Sequence, residues 1–263
     1  MHVRALSWRT DLLVNRFDGR MEDRGDHLFV ETPSNPTFYW GNYLLFDGPP
    51  RDGDFARWTG LFADAFAHAP GVRHVALGWD GTEGAVGEVA PFLDAGFTLD
   101  PAVTLVATEV VPPPRPNDRV RVRPLVTDGE WAAALEYKIA GADGFDPETY
   151  RPFKTAKMAC WRRMVEQGRG RWFGAFDGDV LVADCGVVTD GELARFQSVA
   201  TSPAHRRRGI AGTLVYEVAR HALGEMGVRR VVIVAEADEA PARIYASVGF
   251  REVERSMAVV RMP

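Results

Sequence analysis

The segment 199–215 constrains the fold of this chain more than any other part of the sequence. A strand-like run, 194–201, ends in a proline-containing turn. Three arginines and a glycine follow, and an amphipathic helix begins at once (Arg206, Arg207, Arg208 and Gly209). A helix N-terminus presents backbone N–H groups without intrahelical acceptors, together with the positive end of the helix dipole. Glycine lets a bulky anion approach these groups, and arginines add charge-assisted hydrogen bonds. The segment therefore predicts a strand–loop–helix unit that binds a pyrophosphate.

Two motifs in this part of the chain resemble those of a known family. Arg206-x-x-Gly209-x-Ala211 matches the Arg/Gln-x-x-Gly-x-Gly/Ala signature of the GNAT-type N-acetyltransferases, which bind acetyl-CoA. The second motif is the segment 242–250, in which Tyr245 lies four residues before Gly249-Phe250. This segment resembles the closing helix and strand of that family. The resemblance implies an α/β (α+β) fold over residues 119–263. Its mixed β-sheet would be flanked by helices and splayed between the fourth and fifth strands to admit the pantetheine arm.

Composition narrows the classes of protein that fit. The chain has 263 residues, of which 46% are hydrophobic and 25% charged, as expected for a globular protein of one or two domains. The net charge of −5 disfavours broad nucleic-acid binding. No apolar run approaches the length of a membrane span, no signal peptide is legible, and no metal-ligand spacing is present. The two cysteines suggest no disulfide framework. We expect a cytoplasmic protein without a membrane or metal partner.

A proline-rich stretch, 110–118, divides the sequence into similar halves. The Gly-Phe pairs at Gly96 and Gly249 each follow an apolar strand and a helix-like stretch, and each precedes another strand. This spacing favours an internal repeat of two tandem GNAT-like units, although αβ units often end in Gly-Phe and a chance match is the alternative.

The halves differ where the cofactor would bind. The segment 48–54 stands opposite the arginine-rich loop, but it lacks the Arg-x-x-Gly-x-Ala pattern, and Asp52 and Asp54 would repel a pyrophosphate. We also expect the first half to lack the two helices predicted at 128–140 and 147–168. We therefore interpret 1–111 as a degenerate GNAT-like domain without cofactor motif, 112–118 as a linker, and 119–263 as the catalytic domain.

The second half shows the element order that the resemblance implies. We predict a strand at 119–124, then the two helices, the first capped by Asp128. Asp-Gly turns at 177–178 and 190–191 predict a three-stranded meander. A helix at 209–226, a buried strand at 229–235, a helix capped by Asp238 and a last strand at 251–260 follow.

The resemblance assigns cofactor binding to the loop, to the strand before it and to the start of the last helix. The positions are Val199, Thr201, Arg206, Arg207, Arg208, Gly209, Ile210, Ala211, Gly212, Thr213 and Asp238. The backbone of Val199 and Thr201 would pair with pantetheine and polarise the thioester carbonyl. Asp238 stands where the family commonly has an asparagine, so its role is open.

Tyr245 is the candidate catalytic residue. The resemblance implies that it protonates the departing thiolate, and a phenol suits this task because its pKa is close to that of a thiol. The alternative is an ordinary core tyrosine. Glu192, Glu236 and His221 are candidates for the general base by residue type, and Gln197 cannot accept the proton. We assign no base, and a covalent route through Cys185 lacks a visible partner residue.

Three functions remain open at this stage. The first is acetyl transfer from acetyl-CoA to the primary amine of a small molecule, by direct attack in a ternary complex. The second is the same reaction on a protein or peptide amine. The third is a non-catalytic regulatory module that binds CoA. The sequence does not determine the oligomeric state, and a homodimer is one alternative.

Overall fold

The computed structural model describes residues 1–263 except Asp143, Phe145, Asp238 and Glu239. In chain order, the helices and strands are α1 (Leu6–Asp18), β1 (Arg20–Asp23), β2 (His27–Glu31), β3 (Tyr43–Phe46), α2 (Asp54–Phe66), β4 (Val75–Trp79), α3 (Ala90–Asp94), β5 (Thr98–Ala107), β6 (Val120–Pro124), α4 (Asp128–Ala140), α5 (Pro147–Glu166), β7 (Gly170–Asp177), β8 (Val180–Thr189), β9 (Leu193–Thr201), α6 (Ile210–Gly224), β10 (Arg230–Glu236), α7 (Ala240–Ser247) and β11 (Arg251–Arg261). This is the mixed α/β architecture that the sequence predicts, with helices flanking mixed β-sheet.

The chain folds into two compact units. Unit 1 comprises Met1–Thr104 and Val253–Pro263, and unit 2 comprises Leu105–Glu252. These bounds differ from the predicted division at the linker, because residues 105–111 belong with the second half and the C-terminal strand belongs with the first. The reason is strand pairing: β11 runs antiparallel to β4, with Met257 opposite Trp79 and Arg261 opposite Val75.

Unit 1 has the strand order β1-β2-β3-β4-β11-β5. Strands β1 to β3 pair antiparallel, and β3 pairs parallel with β4. The ring of Phe46 stacks on that of Trp58 at 3.8 Å in the core of this unit. One helix, α1, precedes these strands, so the expectation that this half lacks both of the early helices is wrong for one of them.

Unit 2 has the strand order β10-β9-β8-β7-β6. Strands β6 to β9 pair antiparallel in sequence, which confirms the predicted meander, and β9 pairs parallel with β10. The rings of Trp161 and Trp172 lie 4.7 Å apart in its core. The cap of α4 is Thr127 rather than the predicted Asp128, because Thr127 and Glu130 form a reciprocal capping box.

Three absences apply to the described part of the chain. No disulfide joins Cys160 and Cys185, and both side chains are buried. No grouping of histidine, cysteine, aspartate and glutamate residues could hold a metal ion among these residues. Nor is any helix in the described ranges both long enough and apolar enough to cross a membrane.

Candidate active site

The parallel strands β9 and β10 separate soon after they begin. Their registered pairs run from Leu193 opposite Arg230 to Arg195 opposite Val232, whereas β9 continues to Thr201 and β10 to Glu236. A cavity of about 240 Å³ lies at these strand ends, here called the β9/β10 cavity. It is lined by Phe196, Ser198, Val199, Ile233, Val234, Ala235, Glu236, Pro241 and Tyr245. The separation matches the splay expected between the fourth and fifth strands.

Strand β9 carries a β-bulge at this cavity. Asp184 of β8 lies opposite Ala200 and Gly186 lies opposite Gln197, so β9 has one residue more than β8 between these pairs. Ser198 adopts a left-handed backbone with φ of 51°, a conformation that costs a non-glycine residue roughly 1–2 kcal/mol. Neither Ser198 nor Val199 belongs to a registered pair with β8 or β10 in the described residues. The bulge therefore takes these two residues out of the regular strand pairing at the cavity wall.

A buried ion pair lies behind the bulge. Lys138 Nζ lies 2.6 Å from Asp184 Oδ1, and the two side chains are only 3% and 0% exposed. Lys138 Nζ also donates to the carbonyl oxygen of Ser198 at 2.9 Å and to its Oγ at 3.2 Å. Asp184 further accepts hydrogen bonds from Trp172 Nε1 at 2.6 Å and from the Tyr137 hydroxyl. Burial opposes both charges, since it lowers the pKa of Lys138 and raises that of Asp184. The mutual attraction at 2.6 Å and the surrounding hydrogen bonds offset this cost and hold the pair in its charged form.

The loop 206–212, here called the arginine loop, leads into helix α6. Gly209 is the N-cap in a left-handed conformation with φ of 78°, and Arg207 has φ of 62°. The first backbone bond of this turn joins Thr213 N to Gly209 O, so the N–H groups of Ile210, Ala211 and Gly212 have no acceptor within the helix. The three arginines are exposed, and Arg206 Nε donates to Thr201 O at 3.5 Å. This arrangement can bind an anion through backbone N–H groups and guanidinium charge.

The proline-rich stretch of unit 2 fixes the arginine loop. Asn117 N donates to Thr213 Oγ1 at 2.9 Å, and Asn117 Nδ2 donates to Arg208 O at 2.8 Å. A Cβ at Gly209 would lie 2.3 Å from Arg115 O, so only glycine fits against this backbone. The Thr213 hydroxyl, which we predicted to bind cofactor, accepts from Asn117 and donates to Gly209 O at 3.2 Å. Its position therefore fastens the loop to the stretch before β6.

Tyr245 lines the β9/β10 cavity from helix α7 and is 7% exposed. Burial, and to a lesser degree the nearby Cys185, raise the pKa of Tyr245 to about 12. The phenol therefore keeps its proton at neutral pH, but burial makes it a weaker acid than an ordinary tyrosine, and its pKa lies further from that of a thiol than the sequence predicts.

The structure separates the three candidate bases. Glu236 lines the cavity. Glu192 directly precedes β9, at the end of the strand opposite to Thr201, and it pairs with Arg229 at 3.4 Å. His221 packs its ring against Phe173 and lies 3.1 Å from Glu225. Of these three residues, Glu236 is thus the one that the fold brings beside Tyr245.

Four more of the predicted site residues differ in where they lie. Val199 reaches the cavity, and Thr201 ends β9 beside the arginine loop. Ile210 is buried with 3% exposure, so it can offer a ligand only its backbone. Asp238 lies outside the described residues.

Sequence reasoning missed four residues that shape the site. They are Asn117, Lys138, Asp184 and Ser198. Asn117 follows a run of prolines, which was legible only as a linker. The sequence does contain one indication of the ion pair. Asp184 lies within an apolar strand and Lys138 on an amphipathic helix, and a charged residue that is buried needs a partner.

Comparison with known proteins agrees with this geometry. Residues 138–250 match the model of the acetyltransferase (GNAT) family. No curated protein sequence matches the chain. A conserved protein of unknown function from Staphylococcus epidermidis is similar in structure, with a TM-score of 0.68 and 15% identity over 93% of this chain and 94% of that protein.

Two further solved structures are similar over nearly the whole chain. A GCN5-related N-acetyltransferase from Kribbella flavida has a TM-score of 0.65 and 16% identity, covering 98% of this chain and 96% of its own. A tandem GNAT protein from the clavulanic acid biosynthesis pathway has a TM-score of 0.54 and 15% identity, covering 99% and 89%. At these identities the structures show the fold, and the family match supports acetyl transfer as the general reaction.

Proposed function

We propose that this chain, an acyltransferase whose residues 138–250 match the GNAT family, transfers an acetyl group from acetyl-CoA to the primary amine of a small molecule. The transfer would proceed by direct attack in a ternary complex. The observation that carries the proposal is the β9/β10 cavity, where a bulged strand and a protonated tyrosine meet.

The arginine loop fits the pyrophosphate of CoA. The N–H groups of Ile210, Ala211 and Gly212, which have no acceptor within the helix, supply donors, and the left-handed Gly209 opens the turn. Each charge-assisted hydrogen bond to a phosphate contributes roughly 1.5–3 kcal/mol. Bound acetyl-CoA would supply the activated acetyl thioester, and the separated strand ends would receive its pantetheine arm.

The cavity wall supplies the polar groups for transfer. The backbone of Val199 lies in the bulge, outside the registered pairs of β9, and lines the cavity. Its N–H would donate to the thioester carbonyl oxygen, where negative charge develops. Tyr245 lines the same cavity and would donate its proton to the departing sulfur. We assign the proton of the acceptor amine to Glu236, because this carboxylate lines the same cavity.

The size of the cavity favours a small acceptor. A volume of about 240 Å³ lies below the usual range for small-molecule sites, roughly 300–1,000 Å³, and leaves little room for a large acceptor. The net charge of −5 is compatible with a cationic amine. The similar tandem GNAT protein comes from the clavulanic acid biosynthesis pathway.

Two measurements on the intact chain test the proposal. The first is the melting temperature with and without acetyl-CoA, which we expect to rise on binding. The second is release of free thiol from acetyl-CoA in the presence of amino acids, polyamines, and peptides with free N-termini. Turnover with a small amine supports the proposal. Turnover confined to peptides favours a protein acceptor, binding without turnover favours a regulatory module, and no thermal shift at all rejects all three.

A further inference from the structure

We propose that Lys138 is a positioning residue for acyl transfer, holding Ser198 in the left-handed conformation that sets the β9 bulge and with it the backbone of Val199 at the cavity wall. This inference rests on the proposed function, because it assigns a role within acetyl transfer. It is independent of which amine accepts the acetyl group.

The bulge needs an external tether. Ser198 has a positive φ of 51°, which side chains other than glycine adopt only at a cost in free energy. In the described residues, neither Ser198 nor Val199 gains a registered partner from β8 or β10. The two hydrogen bonds from Lys138 Nζ, to the Ser198 carbonyl oxygen and to its Oγ, supply the missing constraint.

Lys138 is itself held in one orientation. An ammonium group has three donors, and here they face the Asp184 carboxylate, the Ser198 carbonyl oxygen and the Ser198 hydroxyl. Asp184 is held in turn by Trp172 Nε1 and by the Tyr137 hydroxyl. A buried cation with every donor directed is a rigid support, and its three partners lie on the strands β8 and β9.

The proposed reaction needs such rigidity at Val199. Ser198 and Val199 line the cavity with Tyr245, so a displaced bulge moves the proposed carbonyl donor relative to the acid. A misplacement of about 1 Å can cost about a hundredfold in rate. The described contacts of Lys138 do not include the arginine loop, so affinity for acetyl-CoA should change little.

The test replaces both members of the ion pair. Lys138→Met with Asp184→Asn keeps the side-chain sizes similar and avoids leaving one buried charge without its partner, which alone would be strongly destabilising. We expect kcat to fall by about 10- to 100-fold, with the Kd for acetyl-CoA changed less than about threefold. Adding Ser198→Gly should restore part of the lost kcat, because glycine adopts positive φ without the steric cost that serine bears, although it does not replace the tether.

Lys154→Met is the matched control. Its ammonium lies over the rings of Tyr150 and Trp161 and repels the charge of Lys138, but within the described residues it makes no hydrogen bond to β9. It therefore separates the loss of a nearby charge from the loss of the tether. We expect its kcat to stay within about threefold of wild type. An equal fall in Lys154→Met, an unchanged kcat in the double variant, or no rescue by Ser198→Gly would each overturn the proposal.

Crystal structures separate this inference from the proposed function. In the Lys138→Met/Asp184→Asn variant we expect residue 198 to leave the left-handed region. If it keeps positive φ, Lys138 does not hold the bulge, whatever the activity. If the wild type transfers no acetyl group to any amine, the proposed function fails, and the φ of residue 198 still decides whether Lys138 positions this strand.

Discussion

Replacing Gly209 by alanine tests whether the arginine loop depends on its contact with the proline-rich stretch. Gly209 has φ of 78°, and an added Cβ would lie 2.3 Å from the carbonyl oxygen of Arg115. The left-handed conformation alone costs alanine roughly 1–2 kcal/mol. The backbone contact adds to this cost, because a carbonyl so close to a Cβ has to move.

Gly227 offers a matched control in the same unit. It has φ of 69°, and a Cβ there would meet no atom within 4 Å. Gly227→Ala therefore carries the same conformational cost without the contact. We expect it to lower the free energy of unfolding by roughly 1–2 kcal/mol and to leave acetyl-CoA binding unchanged. Gly209→Ala should lower the free energy of unfolding further.

The decisive measurement is the Kd for acetyl-CoA by titration calorimetry. Moving the turn misplaces the N–H groups of Ile210 and Ala211, and loss of one charge-assisted hydrogen bond of roughly 1.5–3 kcal/mol weakens binding about 10- to 100-fold. A Kd for Gly209→Ala within about twofold of that for Gly227→Ala would show that the loop does not hold the cofactor through this geometry.

Two further substitutions have specific expected results. Tyr245→Phe should lower kcat by about 10²- to 10⁴-fold with acetyl-CoA affinity retained, and an unchanged kcat when chemistry limits the rate would rule out Tyr245 as the acid. Glu130→Gln should reduce the change in the free energy of unfolding between pH 4.5 and 2. The hydrogen bond from Arg123 contributes most to lowering the pKa of Glu130 from 4.5 to about 2. Its contribution is therefore present above pH 4.5 and lost as pH falls towards 2. Denaturant titrations between these pH values measure the difference, and parallel curves for wild type and variant would contradict it.

Much of the fold was predictable because it follows local patterns. The Asp-Gly turn at Gly178 has the expected positive φ of 60°, and the periodic apolar face of α6 is buried along its length. The cap of α4 was also legible, since Thr127-x-x-Glu130 is a capping-box pattern, but Asp128 is an equally good cap by residue type.

The parts of the site that one continuous segment forms could be predicted from the sequence. The parts that residues from distant segments form together could not. The arginine loop and Tyr245 each lie on a short motif that can be read alone. The Lys138 contact with Ser198 joins residues 60 positions apart, and neither residue type signals the contact. A bulge is likewise a mismatch between two strands, so β9 alone does not reveal it. Pairing partners are the information that a single sequence lacks.

The pairing of β11 with β4 bears on where the chain can be cut. A fragment of residues 119–263 follows the predicted domain boundary, yet it contains β11 without the strand that buries it. Ala258 and Val259 are 2% and 0% exposed in unit 1, so the fragment would present an apolar strand edge to water. We expect it to aggregate or to melt well below the full chain, and co-expression with residues 1–118 should restore the melting temperature. A fragment that melts with the full chain and binds acetyl-CoA equally would show that β11 contributes little through β4. The proline-rich stretch would then mark the true boundary of folding, and the strand pairing would be a consequence of having both halves present rather than a requirement for either.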